Sequence, residues 1–322
     1  MKEREIGSTG PCGHHHSPTN GWKVWLSLGF TLLFCAGEAV AGWLSHSLAL
    51  ISDSGHNLSD ALALGLAAYA ILAVRKPTSG RHTYGFHRVP ILTALFNAST
   101  LVVIALYICI EAVRRFLQPE TVNGMLMIWV ALVAVVLNTV IAAVLHGDAK
   151  HSLNSKAAFI HMAGDAISSL AVILAGIAIH YTHWHYADPL ASMLIAAFIL
   201  YSAVGIVKDA ADILMEKAPK NLDLAALVES IKSIEPVCEV HHVHVWTVGE
   251  GINLLSCHVA LPASCSLEQS SCIIDMINKR MHDDFSIGHT TIQIETDALC
   301  NRSECRLEAH LHEHEHDYEH RQ

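Results

Sequence analysis

Charge is scarce in this sequence. Asp, Glu, Lys and Arg make up 16% of its 322 residues, whereas a soluble chain carries about 25%. The deficit falls on residues 24–208, which excludes a wholly soluble globular protein and points to a polytopic membrane protein with a soluble tail. An excess of basic charge is also lacking. The formal net charge is −10, largely from the C-terminal third, and argues against a nucleic-acid partner. The nine cysteines are scattered without the spacing of a disulfide framework, so a reducing compartment is expected for the soluble parts. No GxxxxGK[ST] phosphate loop occurs, which argues against nucleotide-driven work, and no HExxH helix of a zinc hydrolase. No cleavable signal peptide is expected, since polar residues precede the first apolar run and no small-residue cleavage site follows it.

Apolar sequence is what the chain has in plenty: 52% hydrophobic residues and a mean hydropathy of +0.37. Six runs approach the roughly 20 residues needed to cross a hydrocarbon core: 24–44, 49–74, 90–116, 123–145, 156–180 and 187–207. Backbone groups in lipid must be satisfied internally, so these are expected as helices. Lys2, Arg4 and Lys23 precede the first run. Arg75, Lys76, Arg81 and Arg88 lie in the second connector, Lys150 and Lys156 around the fourth, and Lys208, Lys217 and Lys220 after the last. The first and fifth connectors have no Lys or Arg. The positive-inside rule therefore predicts cytoplasmic termini.

The predicted divisions are an N-terminal segment (1–22), a six-helix transmembrane domain (23–210), a soluble domain (211–298) and a tail (299–322). In the soluble domain DLAALVESIKSI reads as a helix. VHHVHVWTV and INLLSCHVAL read as strands joined at GEG. SLEQSSCIIDMINKRMHDDF reads as a helix opened by a Ser266–Gln269 capping pattern, and HTTIQIET as a third strand. The order αββαβ predicts a small α+β domain. Strand alternation would put His242 and His244 on one side, and His241 with Val243 on the other. The last residues, with Cys300, Cys305 and HLHEHEHDYEH, are predicted to be disordered and able to hold transition metals loosely.

Two fragments carry the chemistry: HNLSDA (56–61) in the second run and HMAGDA (161–166) in the fifth. Residues four apart share a helix face, so His56 projects with Asp60, and His161 with Asp165. Each charged group near mid-membrane costs roughly 2.5–3.5 kcal/mol on insertion scales. If the two helices pack together, two imidazoles and two carboxylates form a tetrahedral set for Zn²⁺. Gly55, Ser59, Ala163 and Gly164 beside the motifs would allow a close approach. A metal-free hydrogen-bond clamp is the alternative, though the duplicated spacing favours the metal. Asp53 is either at the mouth of the same pathway or a hydrogen-bonding group. Glu38 is read as a bundle-facing or hydrogen-bonding residue outside the site. Asp188, before Pro189, is read as a helix cap.

These motifs carry a resemblance. SLALISDSGHNLSDALALGLAAYA, the connector RHTYGFHR, AAFIHMAGDAISSLAVILAG, DPLAS and HHVHVWTV occur in order. The chain resembles the cation diffusion facilitators, most of all the cobalt–zinc–cadmium efflux type and the animal zinc transporters, over nearly all of residues 20–296. The resemblance implies a homodimer of six-span subunits with a ferredoxin-like, metallochaperone-like cytoplasmic domain. It also implies Zn²⁺ exchanged for protons through His56, Asp60, His161 and Asp165, with cadmium and cobalt as further cargoes. Zn²⁺ would be both cargo and regulatory ion, with no organic cofactor.

By the same resemblance His241, His258 and Glu295 match metal positions of the cytoplasmic domain. Positions usually held by histidine in bacterial relatives fall near Ser271 or Cys272 and at Gln293. In the animal transporters an N-terminal patch of the partner subunit completes that site, and Cys12, His14, His15 and His16 are a comparable cluster. Some relatives hold a cation at the second connector, but Ser79 and Phe86 stand where two of those ligands would be. His82 and His87 therefore read first as loop histidines. No long His-rich connector joins the fourth and fifth runs, which favours a bacterial plasma (inner) membrane. An intramembrane zinc metalloenzyme and a membrane-anchored metal sensor are the rival readings. The first lacks an open zinc position, and the second leaves the ionisable groups of the spans without a purpose.

Overall fold

The structure, a computed structural model, describes residues 21–146, 153–249 and 251–296. Within helices, the side chains of residues 21–28, 30, 144–146, 153–158, 160 and 161 lie outside the described set. Cys12, His14, His15, His16, Cys300, Cys305 and the predicted disordered tail also fall outside it. The chain divides into two compact units, Met1–Leu64 with Thr100–Tyr201, and Gly65–Ser99 with Ser202–Gln322.

Six long helices come first: α1 (Gly21–Ser45), α2 (Leu48–Val74), α3 (Val89–Leu117), α4 (Gly124–His146), α5 (Leu153–Thr182) and α6 (Ala187–Leu214). Each covers one of the predicted apolar runs to within a residue. Helices α2 to α6 are long and apolar enough to cross a membrane, and the described apolar part of α1 is the shorter Thr31–Ser45. Helix α6 continues to Leu214, past the expected end at 207. Its last turns carry Lys208, Asp209 and Asp212, so an apolar run marks the lipid-compatible part of a helix and not the helix itself.

In the first unit the helices approach most closely at glycine. A Cβ on Gly124 of α4 would meet the Gly176 carbonyl oxygen of α5 at 2.5 Å, and one on Gly42 would meet Ile51 Cγ1 at 2.9 Å. The glycines beside the paired motifs act differently from the expectation. A Cβ on Gly55 would make only ordinary contact, at 3.6 Å, with Ile104 of α3, and one on Gly164 would meet nothing within 4 Å. The tight packing thus lies at α4 against α5 and at the α1–α2 reversal.

That reversal is tied down by Asp188. Its carboxylate, 0% exposed, accepts hydrogen bonds from Ser47 Oγ (2.6 Å), Leu48 N (2.8 Å) and Ala49 N (3.1 Å). The predicted cap is real, but it caps the start of α2 from α6 instead of its own helix. Arg115 of α3 adds a 3.5 Å contact to Asp188 and donates to the His46 carbonyl at 2.6 Å. A carboxylate at a helix N-terminus satisfies backbone donors that would otherwise be orphaned in lipid.

The C-terminal part of the second unit follows the predicted order: α7 (Leu224–Lys232), β1 (Glu239–Gly249), β2 (Ile252–Leu261), α8 (Leu267–Phe285) and β3 (Ile287–Thr296). The sheet order is β1-β2-β3. β1 and β2 are antiparallel, and β3 returns parallel to β2 after the crossover through α8. Helix α8 begins with the predicted capping box: Gln269 N donates to Ser266 Oγ and Ser266 N to Gln269 Oε1. Leu227 and Ile231 of α7 pack with Ile273, Ile277 and Met281 of α8 on Leu255, Cys257, Val259 and Leu261 of β2. The two-residue period of β2 thus buries one face under the helices and leaves His258 on the other.

Strand β1 departs from simple alternation. His241 pairs with His258, but the next pair is His244 with Ser256, so two residues of β1 oppose one of β2. His242, at this bulge, has a φ of 52°. Val240, Val243 and Val245 all join the core despite the odd step between the first two. The expected grouping of His241 with Val243 is therefore overturned. A β-bulge inserts one residue and shifts the parity of everything beyond it.

Candidate metal centre

Among the described residues two clusters bring three His, Asp or Glu ligand atoms within 4.8 Å of one another: His56, Asp60 and Asp165, and His241, His258 and Glu295. Both sets are among the residues singled out from the sequence.

The first cluster lies in the first unit. Helical spacing places His56 and Asp60 on one face of α2, with His56 Nε2 3.5 Å from Asp60 Oδ2. Packing of α5 brings Asp165 Oδ1 to 3.4 Å from the same nitrogen. The side chains are 14% (His56), 27% (Asp60) and 6% (Asp165) exposed. One imidazole nitrogen facing two carboxylates in an apolar bundle is a dense set of hard and borderline donors, suited to a divalent cation. His161 lies one turn before Asp165 on α5, and its side chain is outside the described set.

Polar residues around the cluster join its helices. Asp53, 0% exposed, accepts 2.9 Å hydrogen bonds from Ser168 Oγ and Ser169 Oγ of α5. Of the two roles considered for Asp53, the structure shows the hydrogen-bonding one. Asn57 of α2 donates to Glu38 Oε2 of α1 at 3.1 Å. Within α5 the Ser168 hydroxyl also lies 2.9 Å from the Asp165 carbonyl oxygen. The serine pair was missed by sequence reasoning. Its only signal was two hydroxyls one turn beyond Asp165, ordinary composition for a membrane helix.

The second cluster lies on the sheet face opposite the helices of its domain. Glu295 bridges the histidines, with His258 Nδ1 2.7 Å from Oε1 and His241 Nε2 3.2 Å from Oε2. These side chains are 20–24% exposed. Gln293 donates to Glu295 Oε1 at 2.9 Å and orients that carboxylate. The bulge turns His242 toward the cluster, its ring centroid 4.6 Å from that of His258 and 4.9 Å from that of His241. Cys272 belongs to neither cluster; it is exposed on α8 and lines a groove with Pro236, Pro262 and Cys265. Cys257 is buried in the core, where desolvation pushes its thiol up to about 11, so the thiolate needed for metal binding is scarce at neutral pH.

The connector histidines belong to neither cluster. His82 Nδ1 lies 3.3 Å from Ser79 Oγ, and its ring stacks on Phe86 at 4.5 Å. His87 packs against Gly249, where an added Cβ would meet His87 Cβ at 2.9 Å. Both line a cavity of about 1080 Å³ in the second unit, together with Arg81, Arg88, His244 and the half-buried Trp246. Arg88 is ion-paired at 2.8 Å with Glu216, which lines the same cavity, while Arg81 adds a positive charge there that opposes a cation.

Helices this long and apolar define a multi-pass membrane protein. The chain belongs to the cation efflux family, the cation diffusion facilitators, whose members are transporters and not enzymes: the family's transmembrane domain, described as "Cation efflux transmembrane domain", matches residues 24–215, and "Cation efflux protein, cytoplasmic domain" matches residues 219–297. It is 38% identical over 304 residues to the zinc transporter ZitB of Shigella flexneri, covering 91% of this chain and 96% of that protein. It is 36% identical over 290 residues to the cadmium, cobalt and zinc/H(+)-K(+) antiporter of Bacillus subtilis (strain 168), covering 89% and 93%. It is also 31% identical over 291 residues to the cation efflux system protein CzcD of Alcaligenes sp. (strain CT14), covering 90% and 91%.

Proposed function

We propose that this protein exports divalent transition-metal cations, zinc foremost and cadmium and cobalt besides, in exchange for protons, through a site of His56, Asp60, His161 and Asp165. The observation that carries the reading is the meeting of His56, Asp60 and Asp165 from two apolar helices, with ligand atoms within 4.8 Å. His161 supplies the fourth ligand from the turn before Asp165. Each ligand must lose its proton to bind metal, so cation and protons compete for the same atoms. A site exposed alternately to the two sides then releases metal where protons are abundant, and the inward proton gradient drives export. The printed names of the zinc, cadmium and cobalt relatives support the cargo class, and that of the Bacillus subtilis antiporter supports the exchange.

The same reading makes α1 the sixth span and places both termini in the cytoplasm, on the side of the basic second and fourth connectors. It makes the molecule a homodimer in a bacterial inner membrane, with residues 211–298 as a cytoplasmic metal-binding and dimerisation domain. His241, His258 and Glu295 would hold a regulatory zinc there: two imidazoles and a carboxylate already share one oxygen-bridged arrangement. The N-terminal Cys12, His14, His15 and His16 patch and the Cys300 and Cys305 tail would serve as accessory ligands.

The test is zinc flux into proteoliposomes under an imposed pH gradient. Flux that rises with the opposing proton gradient is expected, and flux indifferent to that gradient rejects the exchange. The metalloenzyme and sensor readings require no flux at all.

A further inference from the structure

We propose that Glu38 and Asp53 form a buried carboxyl pair that holds one proton outside the metal-binding set and releases it when a cation binds. This rests on the reading of the chain as a cation/proton exchanger and identifies where one of the exchanged protons resides.

The pair is fully enclosed: Glu38 is 1% and Asp53 0% exposed. Asp53 is engaged on both oxygens by the Ser168 and Ser169 hydroxyls. Glu38 is engaged on one side only, where Oε2 accepts from Asn57 Nδ2 at 3.1 Å. Its Oε1 is buried and has no hydrogen-bond donor among the described residues, while the carboxyl lies within hydrogen-bonding reach of the side chain of Asp53. Two acceptor-only carboxylates do not bond to one another, whereas a carboxylic acid and a carboxylate do. A proton on Glu38 Oε1, donated to Asp53, satisfies the orphaned oxygen.

The surroundings supply no other remedy. On its α4 side Glu38 borders a cavity of about 430 Å³ walled by Leu33, Phe34, Val130, Val133 and Leu137. No lysine or arginine lines that cavity. Among the described residues the other ionisable groups around the pair are His56 and Asp60 on α2 and Asp165 on α5; Cys35 shares α1, and the described α4 residues at the cavity are apolar. Two further carboxylates, Asp60 and Asp165, would make a second negative charge here more costly still while the metal site is without its cation.

Cation binding reverses this balance. Asn57 follows His56 directly in the chain, and Asp53 precedes it by one helical turn, so a dication at His56, Asp60 and Asp165 raises the local positive potential at both carboxyls. The Glu38 O–H bond then breaks, both carboxylates become ionised, and the proton leaves to water. The dication supplies the compensating charge, and no oxidant or other co-reactant takes part.

The experiment is a count of protons released when zinc binds the full-length protein in detergent, read with a pH dye in weak buffer. Glu38→Gln keeps the shape of the side chain and its contact with Asn57; it is expected to bind zinc and to release about one proton fewer per subunit than wild type. Zinc-induced infrared difference spectra should show loss of a deuterium-sensitive protonated-carboxyl stretch in wild type and no such change in the variant. Equal proton release by the two proteins overturns the proposal, as does persistence of that band in Glu38→Gln. If Glu38→Gln does not fold, Glu38→Ala serves in its place, and a wild-type spectrum without the band overturns the proposal by itself. The outcome is separate from the exchange reading, which fails on wild-type flux that ignores the pH gradient.

Discussion

The two His/carboxylate clusters use the same donors in different settings. In the membrane cluster Asp165 is 6%, His56 14% and Asp60 27% exposed, and the ligands come from two helices, His56 and Asp60 one turn apart. In the tail cluster all three side chains are 20–24% exposed, and they come from neighbouring strands, where His241 faces His258 and Glu295 lies two residues along β3 from Gln293, the partner of His258. Burial makes the first set costly without a cation or protons, so its occupancy is coupled to charge. The second set is partly exposed throughout and lies in a polar domain, so the absence of a cation costs it less. The proposed transport site would be unstable when neither protonated nor metal-bound, whereas the proposed regulatory site need not be.

The sharpest way to break this comparison is to remove one carboxylate from each cluster. Asp165→Asn is expected to lower zinc flux by more than about 100-fold, beyond the 10–100-fold typical of losing an outer partner of a metal ligand. Glu295→Gln should leave maximal flux intact and lower the zinc bound at equilibrium by about one ion per subunit. Equal loss of flux in both variants would erase the distinction. A smaller effect is expected from Ser168→Ala combined with Ser169→Ala, which leaves the Asp53 carboxylate without its two hydroxyl donors. A destabilisation of about 1–3 kcal/mol per unsatisfied buried group should appear as a lowered midpoint of thermal unfolding in detergent, with flux reduced in step. The smallest effect belongs to the tail scaffold. Ser266→Ala removes the α8 capping box and should cost about 1 kcal/mol, lowering the tail domain's thermal stability while flux stays at the wild-type level.

Much of the membrane cluster was legible in sequence because the helix converts spacing into geometry. A histidine and an aspartate four apart must share a face wherever the helix goes, so His56 with Asp60 needed no tertiary information. The six helices and the αββαβ tail were equally open to reading, since hydropathy and two-residue alternation are local signals. What failed was any inference that depended on parity or on partner. The parity of β1 broke at His242, because a single inserted residue leaves composition unchanged and shifts every later side chain. The close helix contacts fell at Gly124 and Gly176 instead of Gly55 and Gly164, because a glycine shows where approach is permitted and not where it occurs. Asp188 was read as a cap, correctly, but its helix is α2.

The sequence by itself determined the protein's class: six apolar helical segments, a polar α+β tail, and ionisable pairs spaced for one helix face. These follow from periodicity and burial cost, which act over a few residues. Only the tertiary structure decided that α2 meets α5 at His56 and Asp165, that Asp53 takes both serines of α5, and that Glu38 from α1 reaches Asn57. Such contacts join residues far apart in the chain, and their selection is set by how whole helices pack, a property that no short stretch of sequence carries.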